Sequence, residues 1–384
     1  MRILIAHSFY RVAGGEDRYV RQQLDLLQDD HDVTLLSERN EDLTPGLATA
    51  RRMVGSASHR RSVEATMRAF RPDVVHLHNP YPALGPSVHL AARTLGIPLV
   101  VTVHNYRLRC PNGFLFTEGE ICTRCTGGNH VNAVLHRCFP SRAQGAAYAS
   151  TLWVHRFVRK LERDVDAYVT PSEHVRDTLA GWGIPERKLV TVRNFTDLPE
   201  APRRGGGRFG VYLGRLSAEK GIDVLLAALE RAGDPEFRIV GDGPVETELR
   251  EAARARGLDR TRFLGRLDPD EVAAVLADAL YLALPSVWHE NAPLAALEAM
   301  ARGIPLLVSD KGGLPELAGD GRGIVTPAGD VAALARGIEA MSGDAAAEMG
   351  ERARRYASEH LTPRAHKSAL EGVYSGLVEV KDIA

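Results

Sequence analysis

The chain has 384 residues, 44% hydrophobic and 25% charged, with a formal net charge of −1. That length allows two domains with a core each, no apolar run nears the roughly 20 residues that span a bilayer, and the balanced charge gives no reason to expect nucleic acid. The opening "MRILIAHSFY" passes at once into a strand-and-glycine pattern, so it reads as mature protein and the expected location is cytoplasmic.

Short β-branched runs alternate with helical patterns along both halves, which predicts parallel sheets covered by helices. The first strand, "RILIAH", leads into "SFYRVAGGEDRYV". There Gly14 and Gly15 open a helix and let backbone approach a ligand closely; a tight turn explains the pair equally well. "VTLLS", "DVVHLH", "LVVTVH", "AYVTPS" and "LVTVRN" complete the strands of the first half.

Residues 105–150 interrupt the alternation and hold all four cysteines, Cys110, Cys122, Cys125 and Cys138, with 11, 2 and 12 residues between them. One Cys-x-x-Cys with flanking single cysteines fits a structural four-thiolate zinc site. Free thiols are the first rival and disulfides the second, since a chain without an export signal keeps its thiols reduced. Charge is uneven here: Leu43 to Arg163 carries 16 Lys and Arg against 5 Asp and Glu. Within it, "LWVHRFVRKLERD" sets Trp153, Phe157 and Leu161 at helical spacing beside Arg156, Arg159, Lys160 and Arg163. Such a helix either lies on an anionic membrane surface or turns its apolar stripe to a core.

"TDLPEAPRRGGGR", residues 196–208, is a linker by composition. It divides a first domain, 1–195, from a second, 209–365, whose expected strands are "FGVYLG", "FRIVGDG", "TRFLGRL", "LYLALPS", "PLLVSD" and "RGIVTP". Near the end, Thr362 and Pro363 start a helix, and its 366–384 part is expected to pack back on the first domain.

The chemistry gathers in the second half. "LGRLSAEKG" places Arg215 and Lys220 beyond the C-terminal end of a strand, where ligands of such sheets sit. Two cations there can meet a phosphate, although solvated surface cations look the same in sequence. Later, "SVWHENAPLAALEAM" opens a helix at Pro293 and offers N–H groups near Ala292, Leu294 and Ala295 to an anion. With a diphosphate held there, Glu298 inside the helix reaches ribose hydroxyls and Glu290 outside it reaches sugar hydroxyls, both as acceptors.

The set "GRLSAEKG", "VGDGP", "FLGRL", "ENAPLAALEAM" with seven residues between its glutamates, and "GGLPEL" resembles the family-4 retaining glycosyltransferases of the GT-B fold. The resemblance covers nearly the whole chain. It implies two doubly wound Rossmann-like domains facing a central cleft, with a UDP- or GDP-type nucleotide-sugar donor on the second. A sugar or lipid-linked sugar acceptor falls to the first, as in polysaccharide or glycoconjugate biosynthesis. By the same resemblance Arg215 and Lys220 bind the donor pyrophosphate, Glu290 the donor sugar and Glu298 the ribose. Gly265, Arg266 and Leu267 face the base, Gly14 and Gly15 approach the donor, and His104 touches the transferred sugar. Asn291-Ala292 stands where the family more often has Gly-Phe, which bears on sugar selectivity.

The implied reaction substitutes on one face of the sugar, the departing phosphate taking the acceptor proton, with no catalytic metal. The Asp164/Asp166 and Asp268/Asp270 pairs read as element boundaries rather than metal ligands. His76 and His78 alternate on a strand and share a side; His76 reads as a polar strand end and His78 as a candidate for the acceptor site. Two other functions stay open, a nucleotide-sugar epimerase of the same fold and a non-catalytic sugar-nucleotide binder. The complete Arg/Lys/Glu/Glu set favours transfer.

Overall fold

The structure is a computed structural model, and it describes residues 1–11, 14–43, 46–196, 207–341 and 343–383. The linker expected over 196–208 lies, in its 197–206 part, outside the described residues. Two compact units are present. The first comprises Met1–Thr117, Cys122–Val192 and Lys367–Ala384, and the second Glu118–Ile121 and Arg193–His366.

The first unit holds a six-stranded parallel sheet in the order Asp32–Arg39, Arg2–Phe9, Val74–Leu77, Leu99–Thr102, Ala167–Thr170, Leu189–Thr191. Its register aligns Ile5 with His76 and His76 with Val100. Every expected strand of this half forms. The reason is visible in the burial: Leu4, Ala6, Val75, Leu77 and Leu99 sit in one core with Val63, Met67, Val88 and Ala91 from the covering helices. Parallel strands covered on both faces need such continuous apolar runs.

The second unit repeats the plan in the order Thr261–Gly265, Phe237–Val240, Phe209–Leu213, Ala279–Leu284, Leu306–Ser309, Gly323–Thr326, again all six expected strands. Val211, Ile239, Leu282 and Val308 pack with Leu225, Leu229, Leu297 and Ile338 of its helices.

Thr362 caps the final helix, Pro363–Ile383, by accepting from Ala365 N at 3.2 Å. Its part from Lys367 onward belongs to the first unit. Tyr374 is fully buried there, with its hydroxyl 2.6 Å from His76 Nδ1 and 3.5 Å from Gln23 Nε2. Glu371 pairs with His31 at 2.9 Å, and Lys367 with Asp30. His76 is thus a tethering residue of the core, with Thr102 Oγ1 on its other nitrogen at 2.7 Å.

Tyr374→Ala should therefore lower the stability of the first unit by about 3–5 kcal/mol, the usual cost of emptying a buried aromatic site. Tyr374→Phe, which removes only the hydrogen bonds, should cost about 1 kcal/mol. Urea unfolding of both variants measures the difference; equal midpoints would mean that packing at Tyr374 contributes nothing.

Candidate functional site

In the second sheet the strand order reverses between Phe209–Leu213 and Ala279–Leu284, the point at which sheets of this kind bind their ligands. These loops carry the cations and the first glutamate. The loop after Phe209–Leu213 is pinned by backbone: Gly214 N donates to Val240 O at 3.0 Å and Leu216 N to Asp242 O at 2.8 Å. A Cβ on Gly241, whose φ is +129°, would stand 1.9 Å from Gly214 O, and one on Gly243 2.1 Å from Leu216 O. That explains the glycines of "VGDGP" without a ligand, since only glycine lets the two loops touch.

Lys220 Nζ donates to Glu290 Oε1 at 2.6 Å and lies 5.1 Å from the centre of the Trp288 ring. Ser286 Oγ donates to the same carboxylate oxygen at 2.6 Å, while Ser286 O accepts from Ser309 Oγ at 2.6 Å. Glu290 is only 6% exposed. Burial by itself would raise its pKa; the Lys220 ammonium, with hydrogen bonds from Ser286 and Trp288, outweighs it and holds the carboxyl below the ordinary value. The segment "GGLPEL" closes over the same residue, Gly313 N donating to Glu290 O at 2.7 Å. Gly312 stands so close that a Cβ there would come 2.0 Å from Glu290 O.

Beyond Glu290, Asn291 and Ala292 are half-buried, and Asn194 Nδ2 donates to Ala292 O at 3.0 Å. The helix begins at Leu294, one residue later than expected, because Pro293 keeps an extended ψ of 127° and serves as the cap residue. No side chain caps this helix, so its first N–H groups are left for other partners. Glu298 sits in its second turn, 5% exposed, and its carbonyl accepts from Arg302 Nη1 at 3.2 Å. Arg215 is exposed and its carbonyl accepts from the Tyr212 hydroxyl at 2.8 Å. Gly265 O accepts from Gly241 N at 2.8 Å, Arg266 pairs with Asp242 at 3.2 Å, and Leu267 packs on the core.

In the first unit, Gly14 has extended backbone before the helix Gly15–Gln28, and a Cβ there would meet nothing within 4 Å. Packing among the described residues does not require that glycine. His104 lies just past Leu99–Thr102, its Nε2 2.9 Å from His78 Nδ1 with the two rings stacked. Burial, then the neighbouring His7 and His76, push His104 well below the ordinary imidazole pKa, so it is neutral at pH 7. His76 and His78 do share a side, with ring centres 4.4 Å apart.

Several functional-looking groups escape sequence reasoning. His7 Nε2 meets Asp17 Oδ1 at 2.8 Å, both buried, although ten residues separate them. Ser286 and Trp288 flank Glu290; the signal for them was adjacency to "HEN", which propensity alone does not interpret. The aspartate pairs behave as boundaries: Asp268 caps Pro269–Ala277 in a capping box with Glu271, and Asp166 accepts from Leu99 N at 2.8 Å.

Two expectations need correction in the insertion. The helix Arg142–Trp153 widens into a π-helical turn, Val154–Val158, and Lys160 at φ +53° ends it. The expected stripe is broken there: Trp153 and Phe157 are exposed, while Leu161, in the separate 3-10 turn Leu161–Arg163, is buried. The zinc site is not supported either. All four cysteines are free thiols around one small cavity. Among the described residues no three His, Cys, Asp or Glu side chains are set to hold a metal ion. Cys110 Sγ turns to Asn112 Oδ1 at 2.9 Å and Cys138 Sγ to Thr117 Oγ1 at 3.7 Å. Burial raises the Cys110 thiol and pushes Cys125 up to about 12, with Cys110, Cys138 and Cys122 adding to the rise at Cys125.

Residues 13–200 match the family described as Glycosyltransferase Family 4, and residues 195–360 the one described as Glycosyl transferases group 1. The glycogen synthase of Mycobacterium tuberculosis is 31% identical over 350 residues, 87% of this chain and 74% of that protein. The 2-deoxystreptamine glucosyltransferase of Streptomyces kanamyceticus is 29% identical over 313 residues, 75% of this chain and 76% of that one. Among solved structures, sucrose-phosphate synthase from Thermosynechococcus elongatus superposes with a TM-score of 0.71 at 18% identity, covering 99% of both chains. Anabaena HepE in complex with UDP-glucose superposes with a TM-score of 0.70 at 18% identity, covering 98% of this chain and 100% of that one.

The Lys220–Glu290 contact makes a pH-dependent prediction. A depressed carboxyl pKa contributes stability above the unfolded value, near 4.3, and loses it as pH falls through the folded value. Lys220→Ala leaves a buried carboxylate unpaired and should cost about 3–5 kcal/mol at pH 7. The gap between variant and wild type should shrink as pH falls below the unfolded value and Glu290 takes up its proton. Denaturant titrations at pH 7 and pH 3.5 measure it; a gap that is constant with pH would rule out the ion pair as its origin.

Proposed function

We propose, from the premise that this chain belongs to the family-4 glycosyltransferases and moves sugar from a nucleotide-sugar donor, that it works with retention and without a catalytic metal. The observation that carries the reading is the meeting of Lys220 and Glu290 at the mouth of the uncapped helix Leu294–Ala301. A diphosphate there takes helix N–H groups, Lys220 and the exposed Arg215, while Glu298 inside the helix accepts from ribose hydroxyls. Glu290 accepts from hydroxyls of the donor sugar.

In this scheme the bond from the anomeric carbon to the phosphate oxygen breaks as that carbon bonds the acceptor oxygen on the same face. The acceptor proton passes to the departing phosphate oxygen. Arg215, Lys220 and the helix meet the charge growing on the leaving diphosphate, so no further Lewis acid is called on. Glu290 is tied to Lys220 and Ser286 and is held as a sugar-binding carboxylate rather than a nucleophile. Relatives of transferase type favour transfer over the epimerase and pure-binder readings, and HepE, solved with UDP-glucose, supports a uridine nucleotide as the first donor to try.

Arg215→Ala should lower turnover about 10²–10³-fold, as removal of one preorganised charge contact does. Because Arg215 is exposed, its melting temperature should stay near wild type. Glu298→Gln should weaken binding of the free nucleoside diphosphate, whereas Glu290→Gln should spare that affinity and damage transfer. Calorimetry with UDP and GDP, alongside a transfer assay, reads all three variants; identical behaviour of the two glutamate variants would overturn the ribose and sugar assignments.

The reading also includes a peripheral membrane position at the cytoplasmic side, with a lipid-linked sugar as acceptor. Val131, Leu135, Trp153, Phe157 and Val158 are exposed, and the Trp153 and Phe157 ring centres lie 5.9 Å apart. Arg124, Arg137, Arg142, Lys160 and Arg163 are exposed around them, against Glu162 as the one acid between 124 and 163. This mixture suits an anionic bilayer, each cation adding about 1 kcal/mol that salt screens. The protein should sediment with phosphatidylserine-containing vesicles at low salt, release as salt rises, and ignore neutral vesicles. Equal failure on both vesicle types would favour a soluble acceptor.

A further inference from the structure

Arg215 is exposed, and among the described residues its guanidinium takes part in no hydrogen bond or ion pair within the chain. Such a side chain gives up rotamer freedom when it closes on a ligand, so what can be prepared in advance is the backbone that aims it. On either side of Arg215 that backbone is fixed to the exit of the neighbouring strand. Gly214 N donates to Val240 O at 3.0 Å and Leu216 N to Asp242 O at 2.8 Å. The Arg215 carbonyl between them accepts from a side chain instead, the Tyr212 hydroxyl at 2.8 Å.

Tyr212 belongs to the strand Phe209–Leu213 and is 1% exposed. A Cβ on Gly214 would stand 3.0 Å from the Tyr212 Oη and 3.4 Å from its Cζ, so the loop turns back across the phenol ring and glycine makes room for the bond. Phenylalanine would meet a packing role alone, whereas a buried hydroxyl is tolerated only with a partner. Burial first, then the Glu290 and Glu219 carboxylates, push the Tyr212 pKa well above its ordinary value, so the phenol keeps its proton and donates. Glu290 and Glu219 also join the two loops of the site. Lys220 Nζ reaches Glu290 Oε1 at 2.6 Å, and Val287 N donates to Glu219 O at 3.0 Å.

We infer that Tyr212 is a positioning residue for Arg215: its hydroxyl fixes the loop peptide from which Arg215 reaches the diphosphate of the donor. The role rests on the function proposed above, in which Arg215 meets that diphosphate. Tyr212 acts through the Arg215 carbonyl and not by contact with the nucleotide, so its effect depends on the arginine being there. A double-mutant cycle reads that dependence.

Calorimetry on the intact chain with UDP and GDP provides the test. Arg215→Ala should weaken whichever diphosphate the wild type binds by about tenfold or more, as loss of a charged hydrogen bond does. Tyr212→Phe should weaken it about fivefold, the effect of one neutral hydrogen bond. Added to Arg215→Ala, the same tyrosine change should shift affinity by less than about twofold, because nothing remains for the hydroxyl to aim. A packing defect would instead repeat the full loss in both backgrounds, or lower the fraction of chains that bind. The stoichiometry of binding should therefore match wild type in all three variants, and urea midpoints show that each is folded. Equal losses from Tyr212→Phe with and without Arg215, or no loss from it while Arg215→Ala binds weakly, would overturn the inference and leave the reading of the site standing. Full affinity in Arg215→Ala, or a wild-type chain that binds neither nucleotide, would overturn that reading and the inference with it.

Discussion

Every strand in both six-stranded sheets is parallel to its neighbours, and much else follows from that constraint. A parallel pair cannot close with a hairpin, so each connection crosses over through a helix and the strands are covered on both faces. Their C-terminal ends then all point one way. Where the strand order reverses, two adjacent loops leave in opposite directions and open a crevice. In the second sheet this reversal lies between Phe209–Leu213 and Ala279–Leu284, which is why Lys220 and Glu290 meet although they belong to separate connections. In the first it lies between Arg2–Phe9 and Val74–Leu77, beside His7, His78 and the Gly14 start of a helix.

The cost of burying polar groups then decides the chemistry at those ends. Glu290 keeps its charge out of water because an ammonium and a serine hydroxyl share one of its oxygens. The first unit solves the same problem without net charge. Burial keeps His104 neutral beside His78, and His76 is tied to Thr102 and Tyr374. Beside this network His7 faces a carboxylate, Asp17 at 2.8 Å. One unit therefore presents a charged site suited to a diphosphate, the other a buried neutral network suited to hydroxyls. That division of labour accords with membership of a family that joins a nucleotide sugar to an acceptor.

The strands were legible in the sequence because two-sided burial demands unbroken β-branched and apolar runs, and the cations and glutamates because they stand directly beyond those runs. The insertion was harder to read. Just after it, the helical stripe counted 3.6 residues per turn through Trp153, Phe157 and Leu161, but the helix ends at Lys160, and Leu161 lies buried in a separate 3-10 turn. The cysteine spacing pointed first to zinc, with free thiols as its rival. Side-chain directions, which spacing does not contain, gave Cys110 and Cys138 oxygen partners instead.

What the amino-acid order by itself determined was local: the alternation of strand and helix, the glycines where loops touch, and the motif residues at the strand ends. Tertiary structure decided which buried polar groups found each other. Lys220 and Glu290 are 70 residues apart, and His76 and Tyr374 are 298 apart. A polar group tolerates burial only beside its partner. Separations of that size carry no local pattern, so those pairings exist only once the sheets have brought distant loops and the last helix together.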